Sequence, residues 1–287
     1  LTSVYLAYKN TELIADSLAP KVNVNKESGL YFKADKSNLV EPGSTKRALT
    51  GQANRVTGKL TTDTYTLEEH VLEEWIDDRI LKTYDNPFNP RSNATNRIAG
   101  QLQIEKENEL ITALATATAS SNNVDAAGSW ASAATDLRAV IKTGNNNMHK
   151  ATGVRANTLV LDRLTYDALV GTNTAFQAAV AYTSDKTEEK LKSMIAGFFD
   201  VKNVLIAGGI KQSAAEGGTG SFLWSTKGLA YLAYVNPAPA IEETSALYQL
   251  TKPDMIGVDV RREESAKSEV VRSTDFYSMK VVDADCL

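Results

Sequence analysis

The sequence predicts an α+β fold whose body is extended and organised around one spine-length helix. Three features predict it. Asn89 to Ala119 reads as a single uninterrupted helix, a hairpin before it carries an oversized polar tip, and the stretch after Pro239 is β-rich with no core of its own. At about 1.5 Å per residue that helix would be roughly 45 Å long, longer than a small domain is wide.

In chain order, Leu1 to Ser28 reads as a mostly polar arm. It holds one short apolar helix around Leu13, Ile14 and Leu18, then a strip in which Val22 and Val24 alternate with Lys21, Asn23 and Asn25. Alone it has too little apolar surface to fold, so it is expected to dock on something else. Leu30 to Lys36 is the next strand, with Tyr31 and Phe32 as bulky β-favouring residues. Lys59 to Ile76, rich in Thr, Tyr, Val and Trp, is its hairpin partner. Ser37 to Gly58 between them holds Pro42, Gly43, Gly51 and many small polar residues. Structureless loops of roughly 20 residues are uncommon inside compact domains, so this tip is expected to reach a neighbour or bind a partner. Lys46, Arg47, Arg55 and Lys59 make it basic, a solvated loop being the plain alternative.

Glu68, Glu69, Glu73, Glu74, Asp77 and Asp78 form an acidic run. A metal or acid/base site needs ligands converging from several elements, so a charged strand edge facing solvent or a basic neighbour is the stronger reading. His70, with no second His nearby, reads as a polar contact. For the long helix, Asn89 offers an N-cap oxygen and Pro90 suits the first helical position. Ile98, Leu102, Ile104, Ile111, Leu114, Ala115 and Thr118 give a thin apolar stripe that Glu105 and Glu109 leave half polar.

After the small-residue linker Ser120 to Ser129, Trp130 is expected to open a second helix through Leu137, Val140 and Ile141, ended by the polar run Gly144 to Asn147. Thr158 to Leu161 is a buried-type strand, followed by a helix near Leu164 to Val170. Thr187 to Phe199 is another helix, with Leu191, Met194, Ile195 and Phe198 as its stripe and Glu188 and Glu189 at its dipole-favoured start. Val204 to Ala207, Phe222 to Trp224 and Leu229 to Val235 read as strands around the Gly-rich loop Gly208 to Gly220, giving an α/β lobe from Trp130 to Pro239. Beyond it Leu247 to Leu250, Met255 to Arg262, Val270 to Arg272 and Phe276 to Val282 are strands that need the long helix as partner. That return makes the first lobe discontinuous in sequence.

Composition bounds the function. With 287 residues, 43% of them hydrophobic and 23% charged, the chain can bury one large or two modest cores. A net charge of -4 gives no nucleic-acid footprint by itself. Cys286 is the lone cysteine, so no internal disulfide forms and a reducing compartment is expected. No apolar run approaches the roughly 20 residues that span a bilayer, and Leu1 to Lys9 lacks a signal-peptide pattern, so a soluble protein with no membrane partner is expected. The missing initiator Met suggests processing or an earlier start.

Enzyme signatures fail on inspection. Gly51 to Leu60 imitates a phosphate loop, but its glycines are too far apart and Leu60 stands where Ser or Thr would hold magnesium. Gly208, Gly209, Gly217, Gly218 and Gly220 do not make the dinucleotide spacing. No G-x-S-x-G elbow accompanies His70 and His149, and Asn93-Ala94-Thr95 falls inside a helix.

The order of parts, with local text, resembles the tailed-bacteriophage major capsid protein family. The resembling stretches are Ile14 to Val22, Tyr31-Phe32-Lys33, Glu68-Glu69-His70 in the second hairpin strand, Ala151 to Leu161, Asp275-Phe276-Tyr277 and Val281-Val282. Their collinear order over nearly the whole chain is more specific than any one of them.

The resemblance implies a Hong Kong 97-like capsid fold with an N-terminal arm at 1–28, an extended E-loop at 29–76, a P-domain at 77–129 and 240–287, and an A-domain at 130–239. It implies a structural protein of the virion with no catalytic residue, cofactor or metal. Hexamers and pentamers of it would close an icosahedral or prolate head around double-stranded DNA held without sequence-specific contacts. Portal, scaffold and decoration proteins are implied partners, and a scaffolding segment is either cleaved away or replaced by a separate protein. A covalent Lys to Asn cross-link occurs within the family, but Lys46 has no identifiable Asn or catalytic acid to match it. The inter-subunit contact candidates are Lys46, Arg47, Arg55, Lys59, Glu68, Glu69, Glu73 and Glu74. An encapsulin-like compartment of the same fold is the alternative, and an enzyme of unknown type the alternative from another class.

Overall fold

A computed structural model gives the structure and describes residues 10–33, 41, 45–47, 49–53, 55, 61–83, 89–117, 130–132, 136–183, 185–212, 220–224 and 230–287. In chain order the elements begin with α1 (Ala15–Leu18), β1 (Lys21–Asn23), β2 (Ser28–Lys33), β3 (Thr61–Thr66), β4 (Glu68–Asp77), α2 (Asp78–Thr83) and α3 (Pro90–Ala117). The middle holds α4 (Leu137–Thr152), β5 (Thr158–Asp162), α5 (Arg163–Thr172), α6 (Thr174–Val180), α7 (Glu188–Phe199), β6 (Asn203–Ala207), β7 (Ile210–Lys211), β8 (Ser221–Phe222) and β9 (Ala230–Ala233). β10 (Leu247–Thr251), β11 (Gly257–Glu263) and β12 (Ser268–Val281) follow.

The long helix forms as its caps predict. Asn89 Oδ1 accepts from the Ser92 N–H at 3.2 Å, and Pro90 is its first residue. Apart from Asn93, its buried positions are apolar near both ends, at Ala94 and Ile98 and again at Leu110, Leu114 and Ala117, while Lys106 and Glu107 are buried between them. Its polar middle is therefore part of the core. Residues 118 and 119 lie outside the described residues.

β12 is the axis on which the helix lies. One edge pairs antiparallel with β4 from Ser268 to Tyr277, while the other takes β11 up to Thr274 and then β10 from Tyr277 to Val281. β1 adds in parallel to β10, completing five strands. Ala94 and Ile98 of α3 close on Ile76 and Val271, fixing the helix across β4 and β12. In the second lobe, β5 is buried at all five positions between parallel β6 and antiparallel β9. Leu137, Ile141, Tyr166, Phe176, Ile195 and Phe199 from α4 to α7 cover it.

Four expectations differ from the structure. From Asn10 onward the arm docks on its own subunit. Ile14, Ala15, Leu18 and Ala19 are buried with Leu110, Leu114 and Trp224, because one helical turn puts these small apolar side chains into a groove that α3 already lines. Residues 1–9 lie outside the described residues. The hairpin partner divides at Leu67, whose N–H bonds Glu27 O at 2.8 Å: β3 pairs with β2, but β4 leaves to join β12. Glu68-Glu69-His70 thus lies in the main sheet.

The second helix starts at Leu137, where Asp136 Oδ1 accepts from the Ala139 N–H at 3.0 Å; Trp130 is a buried turn residue ahead of it. That helix runs through Gly144 to Asn147. A Cβ at Gly144 would come within 3.1 Å of Leu232, and buried Asn145 accepts the Ala156 N–H at 3.0 Å, so the polar run serves close packing and one internal bond. The real end is Gly153, left-handed at φ 79°. Finally, Val270 to Arg272 and Phe276 to Val282 fall on one 14-residue strand apart from Val282, since backbone pairing with β4 carries it through the polar Ser273-Thr274-Asp275.

Candidate assembly interface

The acidic run of β4 meets arginines of its own chain. Directly opposed residues on neighbouring strands share a face, and Arg272 lies opposite both Glu73 and Asp259. Its Nε is 3.1 Å from Asp259 Oδ1 and its Nη1 3.8 Å from Glu73 Oε1, while Glu73 Oε2 takes Arg261 at 3.2 Å. On the helix side Glu74 pairs with Arg97, and Arg91 donates to Glu269 at 2.7 Å. Asp78 accepts both terminal nitrogens of Arg262, at 2.6 and 2.7 Å. The hydrogen bonds from Arg262 and Arg91 hold the Asp78 and Glu269 carboxyls below their ordinary range. The basic neighbour expected for Glu73 and Glu74 is thus intramolecular, whereas Glu68 and Glu69 stay exposed. His70 stacks on Tyr277 at 4.2 Å and lies 3.5 Å from Glu109, the polar contact its sequence context suggests.

The loop between β2 and β3 presents Lys46, Arg47 and Arg55, all exposed, beside Leu49 at 96% exposure. Lys59 lies outside the described residues. Among the described residues, no ion pair joins these three cations to an acid of the same chain. The structure also exposes an apolar set that sequence reasoning missed: Trp75 is 54% exposed, Val258 52% and Val260 51%, with Leu72 and Ile256 close behind. The available signal was the Val258-Asp259-Val260-Arg261 alternation, which marks a strand with one apolar row; which row water sees depends on α3 stopping short of β11.

A strap formed by residues 10–24 joins the two lobes. The Asn10 side chain bonds the N–H and C=O of Ile210 at 3.0 and 2.8 Å, and Glu12 meets Arg163 at 3.0 Å. Gly208 donates to Glu12 O at 3.2 Å, and a methyl at Gly208 would collide with the Glu12 carboxylate. Glu107, fully buried, then accepts from the N–H groups of Ile14 and Ala15 at 3.0 and 2.8 Å and from the Trp224 indole at 2.6 Å. Burial pushes its carboxyl pKa up, and these donors oppose the rise. Lys106 beside it bonds Asp275 at 2.8 Å under the Tyr277 ring. Among the described residues no group of three His, Cys, Asp or Glu is placed to hold a metal ion, and no described helix is long and apolar enough to cross a membrane.

No protein-family model matches the chain. It is 28% identical to the major capsid protein of Burkholderia phage BcepMu over 99% of its own length and 92% of that protein's. Among solved structures, a phage-related protein from Bordetella bronchiseptica RB50 superposes with a TM-score of 0.72 at 19% identity, covering 97% of this chain and 91% of the other. The capsid of cyanophage P-SCSP1u gives 0.59 at 14% identity over 99% and 89%. A virus-like particle from Pyrococcus furiosus gives 0.57 at 11% identity over 96% and 91%. The fold is therefore the α+β fold of phage capsid proteins that the resemblance implied. By sequence over nearly all its length, and by fold, the chain is a relative of the phage major capsid proteins.

Proposed function

We propose that the chain is a structural shell subunit of a phage head, a major capsid protein that assembles as hexamers and pentamers into an icosahedral or prolate container for double-stranded DNA. The observations that carry this reading are the likeness to a phage major capsid protein over nearly the whole chain and a β2–β3 hairpin that ends in a loop exposing Lys46, Arg47 and Arg55, none of them in an ion pair among the described residues. Its role is structural rather than catalytic. In this reading residues 1–28 are the arm, 29–76 the E-loop, 77–129 with 240–287 the P-domain and 130–239 the A-domain. The arm, from Asn10 on, completes its own subunit and leaves lattice contacts to the loop. Lys46, Arg47, Arg55 and Lys59 supply the basic side of a contact between copies, and Glu68 and Glu69 the acidic side. Glu73 and Glu74, already paired, contribute by fixing the sheet that presents the others. Complementary charge of this kind sets register more than affinity, and repetition over many subunits makes modest contacts cooperative. Portal, scaffold and decoration proteins are further partners in this scheme.

Electron microscopy of the purified protein under assembly conditions tests it: closed shells are expected, and a monodisperse monomer under all conditions overturns it. Lys46→Glu with Arg47→Glu should abolish closed shells while leaving the subunit folded by circular dichroism; normal shells from that variant remove the loop from the mechanism. A second reading, an encapsulin-like compartment, draws on the likeness to the Pyrococcus furiosus particle. Protein cargo in place of DNA inside shells recovered from cells would favour it.

A further inference from the structure

Seven of the nine arginines from Arg79 onward pair with a carboxylate. The other two, Arg138 and Arg155, make no ion pair among the described residues, and both open onto one cleft of about 520 Å³ together with Lys142. Arg138 and Lys142 are one helical turn apart on the exposed side of α4, and Arg155 follows the Gly153 turn that ends it. The far wall is the end of α7, at Gly197, Phe199 and Asp200. Two acids share the cleft, Asp136, which caps α4 through the Ala139 N–H at 3.0 Å, and Asp200, so the cations of the lining outnumber its carboxylates by three to two. Residues 137–155 contain Arg138, Lys142, Lys150 and Arg155 and no Asp or Glu, a local charge of +4 in a chain whose net charge is -4.

Outside the β2–β3 loop, the other guanidinium groups, from Arg79 onward, are neutralised internally. Keeping two unneutralised in one concavity, with an ammonium beside them, leaves forked donors suited to a tetrahedral or planar oxyanion. We propose that this cleft is a binding site for phosphate groups. Two sources share that chemistry: free phosphate, and the backbone of duplex DNA, the latter resting on the shell reading above.

The test uses the unassembled full-length protein at low salt, with a short fluorescent DNA duplex followed by anisotropy and, separately, inorganic phosphate followed by calorimetry. Arg138→Glu with Arg155→Glu should weaken duplex binding at least about 10-fold and reduce the magnitude of its log–log salt slope by about two. Both side chains are exposed, so the melting temperature should match wild type; Arg155→Gln repeats the test should the double variant melt lower. Loss of phosphate binding alone supports the site and assigns it to the free ion. Failure of wild type to bind either probe, or a variant that binds both as wild type does, overturns the proposal. Normal shells from a wild type that binds neither probe sink the cleft and spare the shell reading. Probe binding without shells does the reverse.

Discussion

Glu107 sits at full burial with three donors aimed at its two oxygens, so it acts as the internal acceptor for the start of α1 and for the Trp224 indole. Truncating it strands those donors in a place water does not reach, so Glu107→Ala should lower unfolding free energy by about 3 kcal/mol in a urea titration. Glu107→Gln, which keeps an acceptor, should lose less. The pH dependence has a definite sign. Its carboxyl pKa is raised in the folded state, mainly by burial, so its favourable contribution is complete below the unfolded value and is lost as pH rises through the folded one. Wild type should therefore lose ground to Glu107→Gln as pH rises through that window, and urea midpoints of both proteins across a pH series check it. Nothing local marks Glu107 in the sequence. Glu105, two positions earlier on the same helix, is exposed, and what separates them is a partner more than 90 residues away.

At the scale of elements, much of what local chemistry determines was legible: the Asn89 and Pro90 start of α3, the presence of α5, the stripe of α7, and the strands around β5, although the Asp136 cap and Gly153 end of α4 were passed over. What else was not legible depended on distant pairing. β3 and β4 share one β-favouring composition, and only the buried Leu67 and the separate partners β2 and β12 divide them. The polar 144–147 run looks like a helix end until Leu232 and Ala156 are seen against it. Of the candidate interface, the charge of the loop was readable, whereas the exposure of Val258 and Val260 required knowing where α3 stops. The true end of α4 gives a test. Gly153 holds a left-handed φ of 79° that a side chain resists, so Gly153→Ala should destabilise the subunit by about 1 kcal/mol, seen as a lowered thermal midpoint.

Across the whole molecule, the strap makes the arm a core element of both lobes. Leu18 and Leu114 are each fully buried in the same cluster, so Leu18→Ala should cost about as much as Leu114→Ala, roughly 2–5 kcal/mol in unfolding of the unassembled subunit. A much smaller loss at Leu18 would mean the arm is only loosely seated. An arm committed to its own body thus fixes the two lobes together.

The strap also bears on synthesis. β1 has no partner until β10 exists, and β10 is held in turn by β12, so residues 21–23 wait for residues 247–281. A nascent chain leaving the ribosome must carry Ile14, Leu18 and Val22 uncovered through most of translation, and pairing across so long a stretch is slow. A segment made early is among the last to be seated, which exposes the newborn subunit to aggregation and gives cellular chaperones a reason to hold it.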